Sequence, residues 1–330
     1  MSRLSSVQQK VPCLFLTEVK QEQSRKRLGQ PFQVIATGHL NPLALESNVE
    51  SALATEKLDG TCCYVTYYEG QPYLWARLDR KPTKLADKSF KKYQHSHKSS
   101  KGFTWKVEED FRTVPEAWIP AHGVKHHEGT PVPDEHGHIP GWVPVQTDNK
   151  QYCWHSSTVD YDAGVALVLR PGDQSPDLLE LALVPLVDLM EQTLELIGTN
   201  VNGNPYGMGA KKQPLHALVP HGSVGVGGPS PPPLDLQGLT SWFQESREGG
   251  VEGIVWHCDD GTLVKVHRHH LGLGWPDGDC SFSARPVEVR VDWTADHDYH
   301  RLPPTKDLFA SLSRLDGRRF SRLQDVRFDT

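Results

Sequence analysis

Thr55-Glu56-Lys57-Leu58-Asp59-Gly60 sets a lysine two residues before an Asp-Gly turn, and the run Thr61-Cys62-Cys63-Tyr64-Val65 follows it. That run is apolar and rich in β-branched and aromatic side chains, the composition of a strand. Lys57 therefore stands at a strand entrance, with its amine directed into whatever cleft lies above. Asp-Gly allows a sharp turn, and Gly60 lets a ligand approach the main chain without meeting a Cβ. A lysine acting as a nucleophile must first lose its proton, so burial or neighbouring cations are expected to lower its pKa.

Working outward, the strand at 61–68 reaches a Glu69-Gly70 turn and returns through 72–78, a hairpin that brings Arg77 back towards Lys57. The next thirty residues change character. Arg77, Arg80, Lys81, Lys84, Lys88, Lys91, Lys92, Lys98, Lys101 and Lys106 face few acids, and Phe90, Tyr93, Phe103 and Trp105 interleave with them. Such a field suits phosphates, with rings on hand for stacking; a solvated lysine-rich loop is the plain alternative. Lys81, Lys84, Lys88, Lys91 and Lys92 are the candidate nucleic-acid contacts.

A second anchor is Val251-Glu252-Gly253-Ile254-Val255-Trp256-His257-Cys258, a turn at Asp259-Asp260-Gly261, then Thr262-Leu263-Val264-Lys265-Val266-His267-Arg268. It reads as a hairpin with a carboxylate on one strand and a lysine on the other. Between the anchors, Leu194-Glu195-Leu196-Ile197-Gly198 alternates a charge with apolar residues in strand fashion. Further strands are expected over 11–18, 32–36, 163–170 and 178–184. Helices are expected from Pro185 to about Gln192, over 236–248 and over 308–315. The Gly/Pro-rich stretch 222–233 has neither a preceding strand nor a Gly-Lys-Ser/Thr ending, so it reads as a loop and not as a phosphate-binding fingerprint.

The whole-chain numbers set limits. With 330 residues, 37% hydrophobic and 23% charged, the chain can bury a sizeable core. A net charge of -6 argues against coating nucleic acid indiscriminately, so a polyanion must be met by a local basic surface. No apolar run is long enough to cross a membrane. Six cysteines, scattered apart from the Cys62-Cys63 pair and without a Cys-x-x-Cys, suggest neither a disulfide framework nor a zinc ribbon. The histidines at 122–138 and 267–270 lack metal-ligand spacing. A reducing compartment is expected, the cytoplasm with the nucleus as a second location. An organelle-targeting reading of the acid-free first seventeen residues is weaker.

Taken in order, Lys-x-Asp-Gly, a downstream strand glutamate, Glu-Gly-Ile-Val and a lysine on the following strand resemble the covalent nucleotidyltransferases, that is, the polynucleotide ligases and mRNA-capping enzymes. The likeness is closest to the vertebrate ATP-dependent 5′-to-3′ RNA ligases. It is carried by Glu56–Val65, Tyr73–Arg77, Leu194–Asn200, Glu252–Cys258 and Lys265–His270. The resemblance implies an α+β adenylation fold, with two antiparallel sheets flanking an ATP cleft over 1–275 and a short C-terminal extension, 276–330, packed on it. It implies Lys57 as the nucleophile that takes AMP and Glu56 against the adenine edge. Arg77 would lie on phosphate or ribose, Glu195 on the ribose, Glu252 on a divalent metal and Lys265 on the α-phosphate. The family often has a second lysine where this chain has His267, with Arg268 beside it. ATP and Mg²⁺, or Mn²⁺ in its place, are the implied cofactors. RNA with 5′-phosphate and 3′-hydroxyl ends is the implied partner, with no membrane and no obligate protein partner. Rival readings are a capping guanylyltransferase, a DNA ligase, or a non-catalytic RNA-binding protein on a ligase scaffold.

Overall fold

The computed structural model describes residues 6–24, 31–97, 100–173, 175–228, 231–276, 280–291 and 308–328. It is a mixed α+β structure dominated by strands. Leu53–Lys57 pairs antiparallel with Gly253–His257, which pairs with Leu263–His267, so both sequence anchors sit in one three-stranded sheet. Thr61–Tyr68 leaves that sheet at the Asp-Gly turn and enters a larger one between Thr193–Gly198 and Gln71–Arg77. The Asp59-Gly60 turn thus links the two sheets.

The larger sheet is mixed, where two antiparallel sheets were expected. Val165–Pro171 runs parallel to His216–Pro220, and Leu179–Pro185 runs parallel to Val287–Arg290. The latter pairing brings the C-terminal segment to the sheet edge, where Arg319–Phe320 adds a further strand. Phe309, Ala310 and Leu312 of the Leu308–Ser313 helix join Leu167, Leu179 and Val287 in one core. The other face of the sheet buries Val65, Leu74, Leu194 and Leu196. A third core lies behind the small sheet, where Ile254, Trp256, Val264 and Val266 meet Leu239 and Phe243 of the Leu236–Glu245 helix.

Three local expectations shift. The N-terminal strand runs over Phe15–Lys20 and pairs with Gln33–Leu40. The helix expected after Pro185 is a 3₁₀ turn, Leu186–Leu189. Glu191 takes φ +62° and the chain turns back to the sheet, where Val65 N–H reaches the Gln192 carbonyl. The basic stretch is no loop throughout, since Lys84–His97 is a helix. Of its rings, Phe90 is not on offer for stacking, while Tyr93, Phe103 and Trp105 are half-buried. Phe90 is buried against Phe103 and Trp105, with centroids 5.2 and 4.8 Å away, because a helix this polar needs an apolar anchor to hold it. Among the described residues no helix is long and apolar enough to cross a membrane.

Candidate functional site

Strand alternation decides which side chains meet. Thr55 and Lys57 point one way and Glu56 the other, because successive residues of a strand face opposite sides. The Lys57 face looks across a cleft at the large sheet. The cleft is lined by Thr55, Lys57, Val255, His257 and Lys265 on one wall and by Glu195, Pro220, His221 and Gly222 on the other. Val7 and Val11 of the N-terminal segment also line it. The main chain at Pro12 and Leu14 bonds to both sides of Lys265, which fixes that segment beside the small sheet.

Lys57 Nζ donates to Glu252 Oε2 at 2.8 Å and to the Leu58 carbonyl at 3.3 Å. Glu252 lies just before the strand whose Gly253 pairs with Lys57, so register puts carboxylate and amine together. A Cβ on Gly253 would lie 2.3 Å from the Val266 carbonyl oxygen, so glycine is required for this close packing. Glu252 is also paired with His267, whose ring meets His269. Burial pushes the Glu252 pKa up, but His267 and Lys57 outweigh it and hold the group at about 2. For Lys57, burial works to lower the pKa, yet the carboxylates of Glu252 and Glu195 prevail and raise it. This reverses the sequence expectation, because the near neighbours of the amine are anions.

The Asp-Gly turn is held from several sides. Asp59 N–H donates to Tyr206 Oη at 2.7 Å, and Asn202 Nδ2 donates to Asp59 Oδ1 and to the Gly60 carbonyl. Gly60 N–H donates to Glu195 Oε1 at 3.0 Å. A Cβ on Gly60 would sit 2.2 Å from the Leu196 carbonyl oxygen, so the close approach leaves room for hydrogen alone. Glu195 Oε2 meets His221 Nε2 at 2.8 Å.

Lys57, Glu195, Glu252 and Lys265 are therefore gathered at one cleft, and His267 stands behind Glu252. Two residues sit differently. The Glu56 carboxylate is turned away from Lys57 and buried; Arg285 Nη2 donates to it at 2.5 Å and Ser281 at 3.4 Å. Burial raises the Glu56 pKa to about 7, with Arg285 opposing. The main chain of Glu56 stays at the cleft wall, where its N–H reaches the Val224 carbonyl. Arg77 is engaged elsewhere, with Nε on Asp79 at 2.6 Å, Nη1 on the Gln8 carbonyl at 2.6 Å, and its guanidinium over Trp142. Lys81 is exposed, and the exposed Lys84, Lys88, Lys91 and Lys92 share one side of the Lys84–His97 helix.

His221, His257, Tyr206, Asn202 and Arg285 were not singled out from sequence. His257 lines the cleft with Thr55 Oγ1 3.1 Å from its Nε2; burial, helped by His221, lowers its pKa to about 4, so the ring is neutral. Cys62, Glu195 and His221 offer ligand atoms all within 4.8 Å of one another, spacing that a cation could bridge. Yet both Glu195 oxygens and both His221 nitrogens already take part in hydrogen bonds, and burial pushes the Cys62 thiol far up. The three groups are read as a hydrogen-bonding network.

Comparison with known proteins identifies the family. Residues 1–329 match the profile of the RNA ligase 1 family. The chain is 62% identical over 329 residues to RNA ligase 1 of Danio rerio, 56% identical to that of Mus musculus and 54% identical to that of Pongo abelii, in each case across 100% of both chains. A match of this length and identity leaves no stretch of the fold outside it: the chain belongs to the RNA ligase 1 family.

Proposed function

We propose that this chain is an ATP-dependent RNA ligase of the nucleotidyltransferase fold. It would join 5′-phosphate and 3′-hydroxyl RNA ends through AMP carried on Lys57, in RNA repair in the cytoplasm or nucleus. The observation that carries the reading is the Lys57 amine, bonded to Glu252 and set in a cleft with Glu195 and Lys265. In the first step the Lys57 ammonium loses one proton and Nζ attacks the α-phosphorus; a P–N bond forms, the bond to pyrophosphate breaks, and the nitrogen releases a second proton to solvent, keeping one N–H in the phosphoramidate. In the second, a 5′-phosphate oxygen of RNA attacks the same phosphorus and frees Lys57. In the third, the 3′-hydroxyl attacks the activated 5′-phosphate and AMP departs.

The side chains support this sequence of steps. Lys265 would face the α-phosphate as a fixed cation, and Glu195 would take a ribose hydroxyl. The resting amine is an ammonium because Glu252 holds it. Once Glu252 turns away, burial is the chief influence left, and burial favours the neutral nucleophile. Glu252 would be open to a metal only after turning from Lys57; a buried carboxylate lowered to about 2 stays anionic, and Mg²⁺ typically takes one or two carboxylates with substrate phosphates. Mg²⁺, or Mn²⁺, held there would neutralise charge on the departing pyrophosphate. His267 would orient Glu252 instead of binding phosphate. Glu56 would meet the adenine edge through its main chain, and Arg77 would act at the cleft margin. The Lys84, Lys88, Lys91 and Lys92 stripe, with Lys81, would track the RNA backbone.

The test is a chase. Enzyme labelled from α-labelled ATP is isolated and mixed with RNA bearing a 5′-phosphate and a 3′-hydroxyl, or with RNA bearing a 5′-hydroxyl. Label should pass to the first RNA and sealed product should follow, while the second stays unlabelled. A label taken from GTP in preference to ATP would favour the capping reaction instead.

A further inference from the structure

His221 follows the His216–Pro220 strand directly and lines the cleft. Its two ring nitrogens face different partners, Nδ1 with Thr193 Oγ1 at 2.9 Å and Nε2 with Glu195 Oε2 at 2.8 Å. The protonation pattern follows from the neighbours. An Nε2 lone pair aimed at a carboxylate would be repelled, so Nε2 carries the hydrogen and donates it to Glu195. Nδ1 and Thr193 Oγ1 share the second hydrogen bond. That hydroxyl also accepts from Val7 N–H at 2.8 Å. A chain of hydrogen bonds thus runs from the N-terminal segment through Thr193 and His221 to Glu195. Strand alternation favours it, since Thr193 and Glu195 project on one face while Leu194 and Leu196 pack into the core behind.

The consequence falls on Glu195. Gly60 N–H fixes one carboxylate oxygen at 3.0 Å and His221 fixes the other, so the group is held at both oxygens and its plane is set. Each oxygen carries a further lone pair able to accept from a hydroxyl. A carboxylate held this way pays little ordering entropy when a sugar hydroxyl arrives, the benefit of preorganisation.

We propose that His221 is the positioning residue that aims the Glu195 carboxylate at a sugar hydroxyl of the nucleotide, and so sets the preference for a ribonucleotide over its deoxy counterpart. The inference rests on the reading of the cleft as an ATP site. Cys62 is the cross-strand neighbour of Glu195 and has its sulfur within 4.8 Å of the same groups.

The experiment measures self-adenylation kcat/KM with ATP, 2′-deoxyATP and 3′-deoxyATP in wild type, His221→Ala, His221→Gln and Thr193→Val, with a thermal melt of each. Wild type should prefer ATP over one deoxy analogue by roughly 10- to 100-fold, the value of a hydrogen bond to a charged group. His221→Ala should bring ATP down to the level of that analogue while the analogue itself changes little. His221→Gln, whose amide can still donate to Glu195, should recover part of the preference. Thr193→Val should move the same way by a smaller factor. Should His221→Ala fail to fold, the Gln and Val variants decide. If the variants slow ATP and both analogues by one factor, His221 merely supports the wall and the inference is wrong. Wild type that labels equally with all three nucleotides would remove the sugar role of Glu195 and this inference with it. Wild type that takes no nucleotide at all would remove the ATP reading itself.

Discussion

Lys57 and Glu252 face each other at 2.8 Å, and their pairing has a pH signature. Glu252 titrates at about 2 in the fold against an ordinary 4.5. Its folded pKa is depressed, so the stability it contributes is complete above about pH 4.5 and is lost as pH falls towards 2. The stability gap between wild type and Glu252→Gln, measured by urea unfolding, should shrink by up to about 3 kcal/mol across that window. A gap constant down to pH 3 would mean that the ion pair does not set the shift. Function gives a second readout on the same residue. Glu252→Ala should need more Mg²⁺ for nucleotide labelling, and an unchanged metal titration would leave Glu252 as a structural partner of Lys57. Of the site residues, Lys57, Glu195, Glu252 and Lys265 were legible because each stands in a short local pattern of turn or alternating strand. His221, Tyr206, Asn202 and Arg285 were not. Their partners lie 26, 147, 143 and 229 residues away in sequence, and no local spacing encodes such contacts.

The Asp59-Gly60 turn and the Lys84–His97 helix differ in how much of each is visible in the local sequence. The turn was legible as chemistry, because Asp-Gly marks a reversal and a missing Cβ, and the structure adds the reason for the glycine. Gly60→Ala should destabilise by about 1–3 kcal/mol, the usual cost of forcing a methyl into a filled site, and should disturb the Glu195 contact as well. A melting temperature equal to wild type would show that the strand can shift to make room. The helix was not assigned from sequence, because its dense charge hides the short apolar stripe of Ala86 and Phe90. Its lysines then fall on one face, a finer arrangement than composition gives. Neutralising Lys84, Lys88, Lys91 and Lys92 together should spare nucleotide labelling but impair sealing. The salt dependence of RNA binding should flatten by about one unit of log–log slope for each phosphate no longer neutralised, less on single strands. Loss of labelling too would mean that the helix props the cleft, and unchanged sealing would make it a solvated face.

At the scale of the whole molecule, the C-terminal segment belongs to the architecture of the site. Val287–Arg290 extends the large sheet, while Arg285 reaches the carboxylate beside the nucleophile. Glu56 titrates at about 7, above its ordinary 4.5, so the stability it contributes is complete below about pH 4.5 and fades as pH rises through 7. Arg285 opposes that trend by pairing with the ionised form. Arg285→Ala should therefore cost little at pH 5 and about 3 kcal/mol at pH 8, the scale of a buried pair broken from one side. An equal loss at both pH values would place the effect in packing. Hairpin patterns foretold the sheets around the cleft, but the parallel pairing that brings this segment home joins strands more than a hundred residues apart and leaves no local trace. The whole arrangement converges on one amine, and the most direct measurement is made there. Wild type and Lys57→Arg would be incubated with α-labelled ATP and Mg²⁺, denatured, digested, and the labelled peptide sequenced. A single AMP adduct is expected on Lys57 in wild type and none in the arginine variant, whose guanidinium stays protonated. An adduct on another residue, or labelling that survives in Lys57→Arg, would contradict it.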